Sequence, residues 1–571
     1  MAKNLFVEAL VNALKPHLGL AETEIERIIA TPPDPKMGEY SLPCFAFAKE
    51  MRRSPKDIAA DLAGKIAPSE LIERVQTAGP YLNFFVNKTR FVQEALRTIR
   101  SEGDRYGASD IGRGKTVCLD FSSPNIAKHL AVHHLQSTMI GNTLYKICSA
   151  LGYKCIGINH LGDWGTQFGQ LILAYKKWGS PQKLDAEGVT HLNELYVRFH
   201  SEAESHPEME EEAREWFRRL EAGDAEAREL WQRFKDISLA EFNRVYAMLD
   251  VHFDSFAGES FYSDMLNDVI ARLEAAGIAK ESEGAVVVDL EEFGMPACLL
   301  RKSDGATLYA TRDIAAAEYR KKTYGFSKML YVVGGEQRLA FRQLFKVLEL
   351  MGYDWVKDCA HVDFGMVRFK DRKMSTRKGD VILLEDLLNR AIELVKEIML
   401  TGDMEHEILP DQMDAVAADI GIGAVIFAQL ASKRVKDLAF DWAEILNFKG
   451  DTGPYVQYTH ARSCSILRKA EQEVGDDVNF DLLTDETTMS VVKQLERLPS
   501  VIQDAAAAYE PYFICNYLLD LCGAMNTFLH THRVLKNEPA LTNARLLLVD
   551  CTRQVIGNGL AVLGIKAPDR M

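Results

Sequence analysis

Lys128, His129, His133 and His134 fall within seven positions of the stretch SSPNIAKHLAVHHLQST, residues 122–138. They crowd where a strand-like run, KTVCLDF, gives way to a helical pattern, a setting that suits a metal, a proton transfer or a phosphate. For a metal, His129 and His133 stand four apart and share one face of a helix. A zinc protease places glutamate directly after the first histidine, but Leu130 is there, and no third ligand follows at a familiar spacing. No metal site is therefore expected. Packed or surface imidazoles account for any single histidine, yet they leave Lys128 and the strand–turn–helix setting unexplained. The phosphate reading explains both. A helix N-terminus presents unpaired N–H groups and partial positive charge to an anion. A turn between strand and helix also puts that terminus at the carboxyl edge of a parallel sheet, where ligands of such folds bind. The GxxxxGK[ST] phosphate loop is absent, so the expectation is a nucleotide site of another kind.

The chain has 571 residues, 47% apolar and 26% charged, which is ordinary for a soluble globular protein and long enough for about three or four domains. The opening MAKNLFVEALVNALKPHLGL reads as an amphipathic helix rather than a signal peptide. No run of 18 apolar residues occurs, so no membrane span is expected. Ten cysteines without a CxxC pair predict reduced thiols, a cytoplasmic setting and no zinc ribbon. The net charge of −15 counts against nucleic acid as a partner, but the charge is segregated. Residues 201–230 hold 11 acidic and four basic side chains, whereas 368–378 (RFKDRKMSTRK) hold six basic ones and one Asp.

Strand-like runs at KTVCLDF, GYKCIGI, 285–289 (AVVVD) and 329–333 (MLYVV) alternate with helical patterns and predict an α/β core with a parallel, doubly wound sheet. The charged piece 176–235 reads as a helical insertion, and the chain reads as helical from about 385 to its end. An α+β region with the strand-like YLNFFVN precedes the core. The expected boundaries are 1–112, 113–384 and 385–571.

Seven segments in order, FSSPNIAKHLAVHHLQSTMIG, NHLGDWGTQFG, SDGATLYATRDIAAAEYR, YVVGGEQ, KMSTRKGDVILLEDLL, GPYVQYTHAR and the terminal APDRM, resemble the class I arginyl-tRNA synthetases. The resemblance runs over nearly the whole chain. It implies a Rossmann-type catalytic core between an N-terminal tRNA-elbow-binding domain and an α-helical anticodon-binding domain. It further implies a ligase that joins arginine to tRNA(Arg) with ATP, Mg²⁺ accompanying the ATP, through an arginyl-adenylate whose formation waits for bound tRNA. A cytoplasmic monomer without zinc is expected.

The family's His-x-Gly-His signature falls on Ala131, Val132, His133 and His134, so alanine replaces the first histidine and histidine the glycine. Gln136 stands where arginine is frequent. KMSTRKG resembles the mobile KMSK loop: Lys373, Met374 and Ser375 match, and Thr376 replaces the second lysine. Lys378 or Lys128 is expected to take over that lysine's charge, and the resemblance favours Lys128. It assigns Lys128, His134, Lys373 and Lys378 to catalysis, and Ser123, His129, His133, His160, Gly162, Asp163, Met374 and Ser375 to the ATP site. Gln167 lies in the same HLGDWGTQ stretch.

A planar, permanently charged guanidinium with five donors calls for carboxylates placed for bidentate contact and for neutral acceptors. The resemblance places Asp313, Tyr309, Gln337 and Asp120 around it, and Asn125 at the substrate's α-amino or carboxylate end. Tyr455, Tyr458, Arg462 and the terminal Met571 match anticodon-loop contacts, and Asn83 in GPYLNFF an elbow contact. The altered first signature keeps a second account open, a non-catalytic RNA-binding relative of the synthetases.

Overall fold

The computed structural model describes residues 5–32, 34–303, 305–369, 382–401, 408, 411–470, 472–475 and 477–571. Lys373, Met374, Ser375 and Lys378 lie outside the described residues. The chain divides into two compact units, one of 1–108, 459–499 and 520–558, the other of 109–458, 500–519 and 559–571.

In the larger unit the apolar run predicted at KTVCLDF is the strand Thr116–Asp120, with Val117, Cys118 and Leu119 fully buried. Such a continuous run is what a parallel strand covered on both faces requires. Its sheet has the order Cys359–His361, Lys328–Tyr331, Thr116–Asp120, Lys154–Ile158, and every pairing is parallel. From Thr116–Asp120 the chain crosses through the helix Val132–Ala150 to Lys154–Ile158 on one side. It returns later to Lys328–Tyr331 on the other side. The crossover direction therefore reverses between the two central strands, which opens a crevice at their carboxyl ends.

The run at 285–289 does not join this sheet. It forms Ala285–Val288, the middle strand of an antiparallel sheet with Ala279–Ser282 and Cys298–Arg301. The cause is the two-residue connection Glu283–Gly284, whose φ values of 51° and 78° make a hairpin turn rather than a crossover. The stretch 176–235, predicted as a helical insertion, holds the helices Pro181–Glu187, Val189–Ala203 and Glu208–Glu221, with Thr166–Trp178 running into it and Ala225–Met248 running out of it.

Beyond Leu384 the described residues are mainly helical, with one short strand among them, Leu438–Phe440, paired in parallel with Val367–Phe369. The helices Met413–Leu430 and Pro539–Leu563 are long and apolar enough to cross a bilayer, but 56% and 67% of their apolar windows are buried inside the protein.

In the smaller unit, Tyr81–Val86 is the centre of a three-stranded antiparallel sheet with Tyr40–Pro43 and Ile72–Ala78. The C-terminal helices of this unit hold it together: Lys493 pairs with Glu39 at 2.9 Å, and the Tyr106 hydroxyl donates to Leu495 O at 3.0 Å. None of the ten cysteines forms a disulfide.

Candidate active site at the carboxyl edge of the parallel sheet

The turn after Asp120 is strained. Ser122, Ser123 and Ala127 have φ of 71°, 49° and 62°, a region that costs a non-glycine residue about 1–3 kcal/mol. Hydrogen bonds hold it there. Ser122 N donates to Ser137 Oγ at 2.9 Å, the Ser122 and Tyr246 hydroxyls lie 2.7 Å apart, and Ala127 N donates to Ser238 Oγ at 2.8 Å. Two glycines make room: a Cβ at Gly141 would enter the Phe121 ring, and one at Gly162 would meet Asn125 Oδ1. Asn125 and Gly162 are joined by a parallel bridge, and Asn125 is exposed.

The helix begins at Val132, and His134 serves as its N-terminal clamp by accepting the Ala131 N–H on Nδ1 at 3.0 Å. Burial, aided by the neighbouring His133, pushes the His134 pKa down to about 3. The ring is therefore neutral, and with Nδ1 accepting, its Nε2–H is a donor. His133 reaches solvent with its ring 4.0 Å from that of His134, and desolvation lowers its pKa too. Two neutral imidazoles thus stand at this helix start.

The insertion grips the residues just before. His129 Nδ1 lies 2.6 Å from Glu241 Oε1 and its Nε2 3.3 Å from Thr190 Oγ1, while Lys128 Nζ sits 5.1 Å from the centre of the Tyr196 ring. Asp163 is fully buried, and its carboxylate accepts from Lys235 Nζ at 2.6 Å and from Ser260 N and Oγ at 2.8 and 2.7 Å. Its place in the structure is a lock between the loop after Lys154–Ile158 and the helix Ala225–Met248. His160 Nδ1 lies 3.3 Å from both Ala257 O and Arg320 Nη2, and burial lowers its pKa.

The second half of the site comes from the neighbouring strand. Asp120 is in register with Tyr331, and Ser137 Oγ donates to Val332 O at 2.7 Å. The short turn Gly335–Gln337 follows, leaving Gln337 exposed. The helix Tyr309–Tyr324 opens on Tyr309, 68% exposed, with Asp313 one turn further on. Burial pushes the Asp313 carboxyl up to about 7, against the opposing pull of Arg320. Glu259 nearby is likewise raised to about 7 by burial, with Arg312 opposing. Asp120 feels the Arg320 guanidinium directly: Oδ2 is 2.8 Å from Nη1, and Oδ1 accepts from Ser123 Oγ at 3.0 Å.

Sequence reasoning missed Arg320, Glu259, Lys235 and Glu241. Only Arg320 left a local signal, standing seven residues and two turns after Asp313 on the same helix face.

The matched tRNA contacts divide between the units. Tyr455 and Tyr458 lie on the helix Gly453–Lys469, with Tyr458 37% exposed. Arg462 donates to Asn526 Oδ1 at 3.1 Å. Asn83 faces inward on its strand, 2% exposed, and accepts from Ser41 Oγ at 2.7 Å, so its side chain is engaged within the sheet.

A parallel sheet whose carboxyl edge gathers the strained SSPN turn, a helix start and the Asp120 carboxylate has the layout of a nucleotide-dependent α/β enzyme. Comparison with known proteins gives the particular family. Residues 95–442 match the family model "tRNA synthetases class I (R), catalytic domain", 456–571 the "DALR anticodon binding domain", and 2–86 the "Arginyl tRNA synthetase N terminal domain". Proteins named arginine–tRNA ligase from Clostridioides difficile and Clostridium perfringens are 51% and 49% identical, each over 99% of this chain and 100% of the relative. The arginyl-tRNA synthetase structure of Thermus thermophilus superposes with a TM-score of 0.82 at 25% identity over the full length of both chains. The chain belongs to the class I arginyl-tRNA synthetases.

Proposed function

We propose that this chain attaches arginine to tRNA(Arg), consuming ATP and releasing AMP and diphosphate through an arginyl-adenylate. The observation that carries the reading is that the helix bearing Asp313 is pinned, through the 2.8 Å pair of Arg320 with Asp120, to the end of the strand that feeds the SSPN turn. An acid for a guanidinium and a helix start for a phosphate thus share one sheet edge. The arginine carboxylate is already ionised, so its attack on the α-phosphorus needs no general base. Catalysis rests on positioning and on charge stabilisation. Asp313 with Tyr309 and Gln337 takes the guanidinium, and Asn125 takes the α-amino or carboxylate end. His134, as a neutral donor, and Lys128 meet the phosphates of MgATP, with Lys373 and Lys378. The terminal ribose hydroxyl of tRNA then attacks the activated carbonyl.

In this reading residues 1–112 serve the tRNA elbow, 113–384 the chemistry and 385–571 the anticodon, where Tyr455, Tyr458, Arg462 and Met571 contact the loop. The protein acts as a cytoplasmic monomer and needs no zinc. Charging of tRNA(Arg) by the wild type and by Asp313→Asn tests the pocket. A site built to pair a charged group loses about 10⁴-fold when that group is unmatched, so the variant should lose about that factor in kcat/KM for arginine. A loss under about tenfold would place the guanidinium elsewhere.

A further inference from the structure

Arg320 is the largest fully buried side chain among the described residues, 1% exposed. A guanidinium that deep has to be paired. Its partner is Asp120, at 2.8 Å, and the pair is surrounded by the His160 ring and the Tyr331 face, 5.7 Å from the guanidinium carbon. Asp120 passes the constraint on, since its other oxygen accepts from Ser123, one of the residues held at positive φ. Arg320 Nε and the Tyr331 hydroxyl, both buried, have no hydrogen-bond partner, which marks this corner as polar and incompletely filled.

We propose that Arg320 is a positioning residue for the arginine site: a guanidinium built into the protein that occupies Asp120, braces the Ser122–Ser123 turn through it, and leaves Asp313 rather than Asp120 to take the substrate. The inference rests on the functional reading above and sharpens it. Both carboxylate oxygens of Asp120 are engaged, one by Arg320 and the other by Ser123. Asp120 then acts through the turn that carries Asn125 and Lys128. The groups that act on or respond to Asp313 agree with this arrangement. They are Arg312 and Arg320 from its own helix, Asp120 from the central strand and Tyr331 from the adjacent one, Glu259 from the turn Glu259–Met265, and Cys298 from the antiparallel sheet. Arg320 is the one among them whose loss removes a positive charge and exposes a second acid at once.

Arginine kinetics of tRNA charging, followed against pH, test this in Asp120→Asn, Asp313→Asn, Arg320→Met and the Arg320→Met/Asp120→Asn double variant. Asp120→Asn should lower kcat about tenfold and change the KM for arginine less than about threefold, whereas Asp313→Asn should raise that KM about 100-fold or more. Arg320→Met removes the positive charge that acts on both Asp120 and Asp313 and should move the pH at which KM levels off upward by about one unit. The double variant, which removes both charges, should return the profile to that of the wild type. If Arg320→Met does not fold, the single and double Asp120 variants decide. A KM increase in Asp120→Asn equal to that in Asp313→Asn, or an unshifted profile in Arg320→Met, overturns the proposal. A wild type that charges no arginine overturns the functional reading itself, and this inference falls with it.

Discussion

Asp313 sits at the balance point of the site. Its carboxyl has a pKa of about 7 because burial outweighs the pull of Arg320 and Arg312. Below that pH the group is protonated and offers the substrate no charge; above it the carboxylate is present. Arginine stays cationic throughout, so the KM for arginine should fall as pH rises through about 7 and then level off, with Glu259 titrating in the same range. Steady-state charging between pH 6 and 8.5 checks this, and a KM that rises with pH contradicts it. At this scale the sequence offers Asp313, Tyr309, Gln337 and Asn125 as candidates, because they stand in segments whose residue types and order carry the resemblance. The partners of Asp120 and Asp163 were not legible, because Arg320 and Lys235 lie 200 and 72 residues away in sequence and only the fold brings them near. Nor does composition announce that three ordinary residues of the SSPNIA turn adopt positive φ.

At the scale of elements, the strand–turn–helix at 116–150 was readable because a short apolar run rich in β-formers, closed by the SSPN turn, is followed by a helical pattern. The run at 285–289 was placed in the wrong sheet because periodicity says nothing about what a strand pairs with. The two-residue Glu283–Gly284 connection decides that. The insertion is more than a charged appendage. Its helices supply Glu241 and Thr190 to His129, Ser238 to Ala127 and Lys235 to Asp163. Lys235→Met leaves the fully buried Asp163 without its cation. Breaking a pair of this kind costs about 3 kcal/mol or more. Thermal or urea unfolding of the variant should show that loss, and a change under about 1 kcal/mol would mean that the insertion does not brace the site through this contact.

For the molecule as a whole, a net charge of −15 argued against a nucleic-acid partner, and the match of residues 456–571 to an anticodon-binding domain shows why the average misleads. Acidic residues concentrate in 201–230 and basic ones in 368–378, so the average describes neither stretch. The central claim is that one chain brings together an arginine pocket and a nucleotide site, and that tRNA permits their reaction. The measurement that meets it most directly is ATP–pyrophosphate exchange by the full chain, run with each amino acid in turn, with and without tRNA(Arg). Exchange with arginine alone among the amino acids, and only when tRNA is present, is the predicted result. Exchange with a different amino acid, or none with any, contradicts the account, and the second outcome leaves an RNA-binding relative that has lost the chemistry.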